Sequence, residues 1–265
     1  MDWSRSSLVR LLRERGIRTK RHLGQNFLLD RNYLDAIVRA AEVTDTDGVI
    51  EIGSGIGNLT ERLAGTARHV WAFEIDPEMH GLSVELLGGR ANVTLVNRDG
   101  AEFEEHVVPG ACRSLKIVSN LPYFDYHRIL LRLLGTSLAI ERYVLMLQRE
   151  AFERLRSGAG DPDYGPLGVL VGGLCEIRFL RKAGPKLFHP APHVDSVLFE
   201  LRRKDASRDV AALERSLREL FAHRRKTLGA VWKRLTGDVM EARERVEDLP
   251  PGRLLELAAK LPAGK

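Results

Sequence analysis

The sequence predicts an α/β fold, a largely parallel sheet with helices on both faces, followed by a small C-terminal all-helical domain. Three observations carry this. From residue 48 short β-branched runs alternate with longer helical ones, as strands linked by crossover helices do. The first run hands over to a glycine-rich turn, Gly53-Ser54-Gly55-Ile56-Gly57, where strand one should meet helix one. Beyond Asp209 only helical periodicity remains.

The elements follow in order. Leu8, Leu11 and Leu12 stand at helical spacing within the basic stretch Ser4 to Arg21. Val49 to Ile52 is a strand, Leu59 to Ala64 a helix, Val70 to Ile75 a strand and Pro77 to Leu87 a helix. Val93 to Val96, Leu115 to Val118 and Tyr143 to Leu147 continue the strands. Around Tyr164 to Arg203 the pattern changes to two strand-like runs, Leu174 to Leu180 and Val194 to Leu201, separated by the proline-rich Pro185 to Pro192. Leu213, Leu217, Leu220 and Phe221, then Leu228, Val231, Trp232 and Leu235, mark helices with one apolar face. The expected division is residues 1–204, a core domain with a basic N-terminal extension, and residues 209–265, a helical domain, joined by Lys204 to Arg208.

Composition narrows the class. The 265 residues are 44% hydrophobic and 29% charged, and the longest uncharged stretch, Tyr164 to Cys175, is far short of a membrane span of ~20 residues. Membrane spanning, collagen and wholesale disorder are excluded. Cys112 and Cys175 have no partner cluster, so neither a disulfide framework nor a metal site is expected, and a reducing, cytoplasmic setting is. The N-terminus lacks the apolar core of a secretory signal, while an organellar transit peptide is a competing reading of Ser4 to Arg21.

The net charge of +5 is unevenly placed. Residues 1–22 hold Arg5, Arg10, Arg13, Arg15, Arg18, Lys20 and Arg21 against Asp2 and Glu14, and a second basic concentration runs from Arg202 to Arg234. Clustered base points to a polyanion, nucleic acid first, because each neutralised phosphate releases counterions. A merely solvated charged face is the alternative.

Two motifs carry chemistry. The glycine turn is G-x-G-x-G, with Asn58 where the dinucleotide fingerprint needs a small residue, so a nicotinamide enzyme is demoted. Glu74 closes the next strand, placed to accept both hydroxyls of a ribose, and Asp99 follows the third strand, offering an acceptor for an adenine amino group. Three polar stations on one sheet edge describe a nucleoside site. The second motif is Asn120-Leu121-Pro122-Tyr123 after an apolar strand. An exocyclic amine on a nucleobase is a poor nucleophile because its lone pair is delocalised into the ring. Acceptors on both N–H bonds, the Asn120 oxygen and the backbone carbonyl of Leu121 or Pro122, would localise that pair while Tyr123 stacks on the base. A structural turn over a packed aromatic is the alternative.

With both motifs present, the sequence resembles the KsgA/Erm family of S-adenosylmethionine-dependent rRNA adenine N6-dimethyltransferases, which implies a Rossmann-like class I methyltransferase sheet. The resemblance spans roughly residues 18–235 and rests on several separated blocks. Leu23-Gly24-Gln25-Asn26-Phe27-Leu28 is similar to the opening motif that closes over the methionine part of the cofactor. Glu51 to Gly57, Glu74-Ile75 and Asp99-Gly100 are similar to the cofactor strand ends, and Asn120 to Tyr123 to the catalytic N-[LI]-P-[YF]. Phe188-His189-Pro190-Ala191-Pro192-His193-Val194-Asp195-Ser196 resembles F-x-P-x-P-x-V-D-S, which implies that Phe188 packs on the target adenine opposite Tyr123. Its place before the stiff Pro190-Ala191-Pro192 loop also suggests a presented aromatic.

The resemblance implies cofactor contacts at Gln25, Asn26, Leu28, Gly53, Gly55, Gly57, Glu74, Ile75, Asp99, Gly100 and Asn120, and a catalytic group of Asn120, Leu121, Pro122, Tyr123 and Phe188. For RNA contact Arg18, Lys20, Arg21, Arg224, Arg225 and Lys226 are the candidates, while His22, His127 and His189 are expected at the surface or on RNA rather than on a metal. Tyr164-Gly165-Pro166-Leu167 and Phe221 to Leu228 resemble the KsgA branch. That branch implies dimethylation of two adjacent adenosines in the 3′ hairpin of small-subunit rRNA, alone or in an assembling particle, by a monomer. Three rivals stand beside it: an Erm-type large-subunit methyltransferase conferring antibiotic resistance, a non-catalytic RNA-binding assembly or transcription factor, and a methyltransferase for DNA adenine or a small molecule. One departure is clear. After N-L-P-Y the KsgA pattern continues N-I-S/T-S/T, whereas this chain reads Phe124-Asp125-Tyr126-His127.

Overall fold

The computed structural model describes residues 3–20, 23–110, 112–205 and 207–262. Its helices are α1 (Arg5–Glu14), α2 (Arg31–Ala40), α3 (Asn58–Ala64), α4 (Pro77–Leu87), α5 (Tyr126–Gly135), α6 (Arg149–Arg156), α7 (Pro166–Leu174), α8 (Val210–Phe221), α9 (Leu228–Thr236) and α10 (Pro251–Ala258). Its strands are β1 (Phe27–Leu28), β2 (Asp47–Ile52), β3 (His69–Phe73), β4 (Val93–Val96), β5 (Ser114–Asn120), β6 (Ile140–Gln148), β7 (Cys175–Ala183), β8 (Phe188–His189) and β9 (Ser196–Arg203).

Seven strands form one sheet in the order β4-β3-β2-β5-β6-β9-β7. β2 pairs in parallel with β3 and β5, β3 with β4 and β5 with β6, while β9 lies antiparallel to β6. Every residue of β2 is buried, as a central strand with helices on both faces requires. The chain runs outward from β2 to β4 and then returns to place β5 on the other side. That reversal is a topological switch point, where the carboxyl ends of β2 and β5 open a crevice. β1 and β8 form a separate antiparallel pair, with Leu28 opposite Phe188, which periodicity did not reveal because each has only two residues.

Local chemistry sets the helix starts. Asp30, Asp76 and Asp209 cap α2, α4 and α8 by accepting N–H bonds from Tyr33, Glu78 and Ala212, and Pro77 follows Asp76 at the first helical position. α1 buries Leu8 and Leu12 in a cluster with Trp3, Phe27, Ile56, Met79 and Leu82, so the basic N-terminal stretch is a packed helix.

The chain divides into two compact units, residues 1–129, 138–149 and 178–201 in the first, 130–137, 150–177 and 202–265 in the second. The second unit is thus larger than the 209–265 that helical periodicity suggests. Packing explains the difference: α7 lies so close to α10 that a methyl group on Gly173 would meet Leu255 Cδ1 at 2.2 Å. Tyr164 also donates to Leu249 O at 3.1 Å and meets Phe221 edge-on, with ring centroids 5.5 Å apart.

Beneath the opposite end of the sheet a buried ion pair joins β2 to β5. Lys116 Nζ donates to Asp47 Oδ2 at 2.8 Å, and both side chains are almost wholly buried. Burial pushes the Asp47 carboxyl up, but bonds from Lys116, Ser114 and Thr44 outweigh it and hold it at about 2. An unfolded Asp titrates near 3.9, so this stabilisation is complete above about pH 4 and lost as pH falls through about 2. Asp47→Asn is expected to lower the unfolding free energy at pH 7 by about 2–4 kcal/mol. In urea titrations its gap to the unmodified protein should narrow between pH 5 and pH 2; a gap constant across that range would refute the assignment.

Candidate active site

The polar stations stand at the carboxyl ends of four adjacent strands, in the spatial order Asp99 after β4, Glu74 after β3, Gly53 to Gly55 after β2 and Asn120 closing β5. Together they line one cleft, which encloses about 970 Å³ of empty space when its open mouth is included. Its walls also include Gln25, Asn26, Leu28, Ile75, Gly100, Leu121, Pro122 and Tyr123. Of the residues expected at the cofactor or the reacting base, the cleft gathers all but Gly57 and Phe188.

Glu74 organises the nucleoside side. Its Oε2 accepts from Gly55 N–H at 2.7 Å and its Oε1 from Asp76 N–H at 2.9 Å. Gly55 holds φ at 57°, a left-handed conformation that a side chain disfavours, and the Glu74 bond fixes it there. Burial raises the Glu74 carboxyl above its ordinary value despite the backbone donors of Asp76, Gly55 and Ile75. Asp76 in turn accepts from Lys20 Nζ at 2.8 Å and Gln25 Nε2 at 2.6 Å, while Gln25 Oε1 accepts from Lys20 N–H at 2.7 Å. The opening motif is thereby tied to the end of β3. Asp99 Oδ1 accepts from Ala101 N–H at 2.9 Å and its Oδ2 from Arg128 at 2.7 Å.

The other half of the cleft is built on β5. Asn120 Nδ2 donates to Asn26 O at 3.4 Å, whereas Asn120 Oδ1 is buried without a hydrogen-bond partner among the described residues. Ser54 Oγ, which lines the same cleft, is in the same state. Buried polar atoms are nearly always paired, so two unpaired ones on one cleft mark positions for a ligand's donors. The Tyr123 hydroxyl sits 2.9 Å from Ser196 Oγ, which brings the start of β9 to the N-L-P-Y turn and fixes the ring. Burial pushes the Tyr123 hydroxyl up to about 12, more than the Ser196 bond lowers it.

Several expectations need correction. Phe188 is not presented: only 1% of it is exposed, and it packs in the core with Leu28, Tyr33, Leu34 and Leu198. Its pairing with Leu28 across β1 and β8 explains this, because opposed residues share a face. Gly57 lies outside the cleft lining; its φ of 87° is a left-handed conformation that favours glycine, and a methyl group there would lie 2.5 Å from Leu87 Cδ1. Lys20 is bound to Asp76 and Glu78, and Arg224 to Glu247, so neither is a ready phosphate contact. Arg18, Arg225 and Lys226 are exposed, and Arg21 and His22 lie outside the described residues. Sequence reasoning assigned no role to Ser54, Phe124 or Arg128, all lining the cleft, nor to the carboxyl of Glu51. The departure after Tyr123 was the one signal that drew attention to Phe124.

Among the described residues no cluster of His, Cys, Asp and Glu is placed to hold a metal, and no helix is long and apolar enough to cross a membrane.

Comparison with known proteins agrees with this geometry. A family model described as ribosomal RNA adenine dimethylase matches residues 16–250. The chain is 36% identical over 260 aligned residues to ribosomal RNA small subunit methyltransferase A of Pediococcus pentosaceus, covering 94% of this chain and 87% of the relative. It is 38% identical over 242 residues to the protein of the same name from Lactiplantibacillus plantarum, covering 88% and 81%. Among solved structures it is similar to a dimethyladenosine transferase from Plasmodium falciparum, with TM-score 0.70 and 26% identity over 86% of this chain and 94% of that one. It is also similar to the 23S rRNA methyltransferase ErmE, with TM-score 0.60 and 28% identity over 89% and 99%.

The floor of the cleft yields a pH prediction. Glu51 is buried, accepts from Thr60 Oγ1 at 2.6 Å, and burial, reinforced by the nearby Glu74 and only partly offset by Thr60, pushes it up to about 8. An unfolded Glu titrates near 4.3, so between about pH 4.3 and 8 the unfolded chain sheds a proton that the folded chain keeps, and stability falls as pH rises. Glu51→Gln, a neutral mimic of the protonated form, is expected to match the unmodified protein near pH 4.5 and exceed it by a few kcal/mol at pH 8. Urea unfolding across that range reads this out, and a variant that is destabilised equally at every pH would contradict a protonated Glu51.

Proposed function

The chain belongs to the ribosomal RNA adenine dimethylase family, and from that premise we propose that it transfers methyl groups from S-adenosylmethionine to N6 of two adjacent adenosines in the 3′ hairpin of small-subunit rRNA. It acts as a monomer in the cytoplasm, on rRNA or an assembling small subunit, with a role in ribosome biogenesis. The observation that carries this reading is the buried Asn120 Oδ1, left without a partner beside Tyr123 at the mouth between β2 and β5. An acceptor kept empty at that place suits an amine donor. The small-subunit target is supported by relatives of that name and by the packing of Tyr164 on Phe221, which joins the two segments resembling the KsgA branch.

The residues fit the cofactor. The Glu74 carboxyl accepts from backbone N–H groups and retains acceptor capacity for a ribose hydroxyl, and Asp99 is placed likewise for an adenine amine. Ile75 and Gly100 would flank the adenine, with Gly53, Gly55, Gln25, Asn26, Leu28 and Asn120 around the remainder. The carboxyl groups of Glu74 and Asp99 on this wall also suit a positively charged ligand. Bound there, S-adenosylmethionine supplies an electrophilic methyl group on a positively charged sulfur.

The rest is the work of the chain. Asn120 Oδ1 accepts one N6–H and the carbonyl of Leu121 or Pro122 the other, which returns the lone pair from the ring to nitrogen and aims it at the methyl group. Tyr123 stacks on the extruded base, whose removal from its neighbours costs a few kcal/mol, least in a loop. No general base is required, because N6 is cationic once methylated and its proton passes to water. Arg18 in the first unit and Arg225 and Lys226 in the second are the exposed cations proposed to meet phosphate.

Asn120→Ala is expected to abolish methylation while changing cofactor affinity by no more than a few-fold in calorimetry; loss of cofactor binding would remove the role assigned to Asn120. Incubation with labelled S-adenosylmethionine and unmodified small-subunit particles should place dimethyladenosine in the 3′ hairpin by mass spectrometry. Label confined to large-subunit rRNA would instead indicate an Erm-type target. Replacing both Arg225 and Lys226 by Ala should weaken RNA binding irrespective of sequence. The slope of log affinity against log salt should flatten by about 1–2, and an unchanged slope would exclude them from the phosphate contacts.

A further inference from the structure

Phe124 is the aromatic that the cleft leaves in water. It follows Tyr123 directly, lines the same cleft and is 51% exposed. A solitary exposed apolar residue is ordinary on a protein surface. This one differs because the segment around it is constrained on two sides. Gly24, at φ 66°, approaches so closely that a methyl group there would lie 3.2 Å from Tyr123 N and 3.7 Å from Phe124 N. On the other side Arg128 Nε donates to Asp125 Oδ2 at 2.7 Å, and Arg128 Nη2 joins both Asp125 and Asp99. The segment that departs from the family pattern is therefore built into the site: Asp125 is clamped to the end of β4 through Arg128, and Phe124 is held out at the rim.

We infer that Phe124 is a stacking surface for the base next to the target adenine, and so a specificity-determining residue for the nucleotide context of methylation; this rests on the adenine-methylating function proposed above. Tyr123 is fixed within the cleft by Ser196, Phe188 is sealed in the core and the other rings lining the cleft, Phe27 and Phe73, are buried, so among the described aromatics that line it Phe124 is the exposed ring that can meet a second base. A base drawn in to Tyr123 is covalently tied to a neighbour that stays at the mouth. Stacking tolerates any base but favours a large π-face, which two adjacent adenosines provide. Anchoring the loop beforehand lowers the ordering cost of that contact.

The test uses the full chain and hairpin RNAs carrying two adjacent loop adenines, intact or with an abasic nucleotide on either side of the target. Binding is read by fluorescence anisotropy, cofactor affinity by calorimetry and methylation by mass spectrometry. Phe124→Ala should weaken binding of the intact hairpin by roughly 5- to 160-fold, the factor that one base–aromatic stack carries, with cofactor affinity unchanged. Phe124→Trp should retain wild-type binding. An abasic nucleotide on one side should weaken the unmodified protein by the same factor and Phe124→Ala no further. Equal binding by Phe124→Ala and wild type, or losses that multiply when variant and abasic RNA are combined, would overturn the stacking role while leaving the proposed reaction intact. A wild-type chain that neither binds nor methylates the intact hairpin would overturn both.

Discussion

One buried carboxylate holds the two halves of the nucleoside site in register. Glu74 accepts from Gly55 at one oxygen and from Asp76 at the other. The first bond pins the left-handed turn after β2; the second fixes the start of α4, whose cap Asp76 then gathers Lys20 and Gln25. Two strand ends, a helix start and the segment before β1 thus depend on a single side chain. Hydrogen bonds to a charged group contribute about 1.5–3 kcal/mol each, yet burial still leaves this carboxyl with a raised pKa. Its charge is incompletely compensated until further donors arrive, which is why the same group can serve both fold and recognition.

The β5 side works on the opposite principle, an acceptor left empty. An unpaired buried oxygen costs about 1–3 kcal/mol, and Ser54 and Asn120 both carry that cost where they face the cleft. Asn120 is held by β5, whose parallel pairing with β2 and β6 makes its position rigid. A loop residue would be free to turn its amide toward water or a neighbour. Placing the amide at the last residue of a central strand prevents that relaxation and keeps the oxygen available.

Much of this was legible in the sequence because the determinants are local. Alternating runs predicted the central strands β2 to β6 and the helices α3 and α4, and the motifs themselves pointed to strand-end positions for Gly53, Glu74, Asp99 and Asn120. What was not legible depends on partners distant in the chain. Nothing near Phe188 indicates that Leu28 will oppose it, and a pattern of two residues carries no period. Lys20 and Arg224 look like free cations until Asp76 and Glu247 are brought beside them. The unit boundary was misplaced for the same reason, since the packing of α7 on α10 is a matter of small residues far apart in sequence.

Those corrections bear on how an rRNA would be recognised. The excess positive charge sits in residues 1–22, and α1 turns its leucines inward, leaving Arg5, Arg10 and Arg13 exposed on a packed helix. Cations so presented attract any polyanion within a Debye length, about 8–10 Å at moderate salt, and distinguish no base from another. Lys20 and Arg224, which lie nearer the family motifs in sequence, are spent on internal pairs and add little to that field. Discrimination must therefore come from the short-range groups at the cleft, where an empty acceptor and aromatic faces respond to the identity and stacking of bases. Affinity and selectivity are thus assigned to different residues, and salt weakens the first far more than the second.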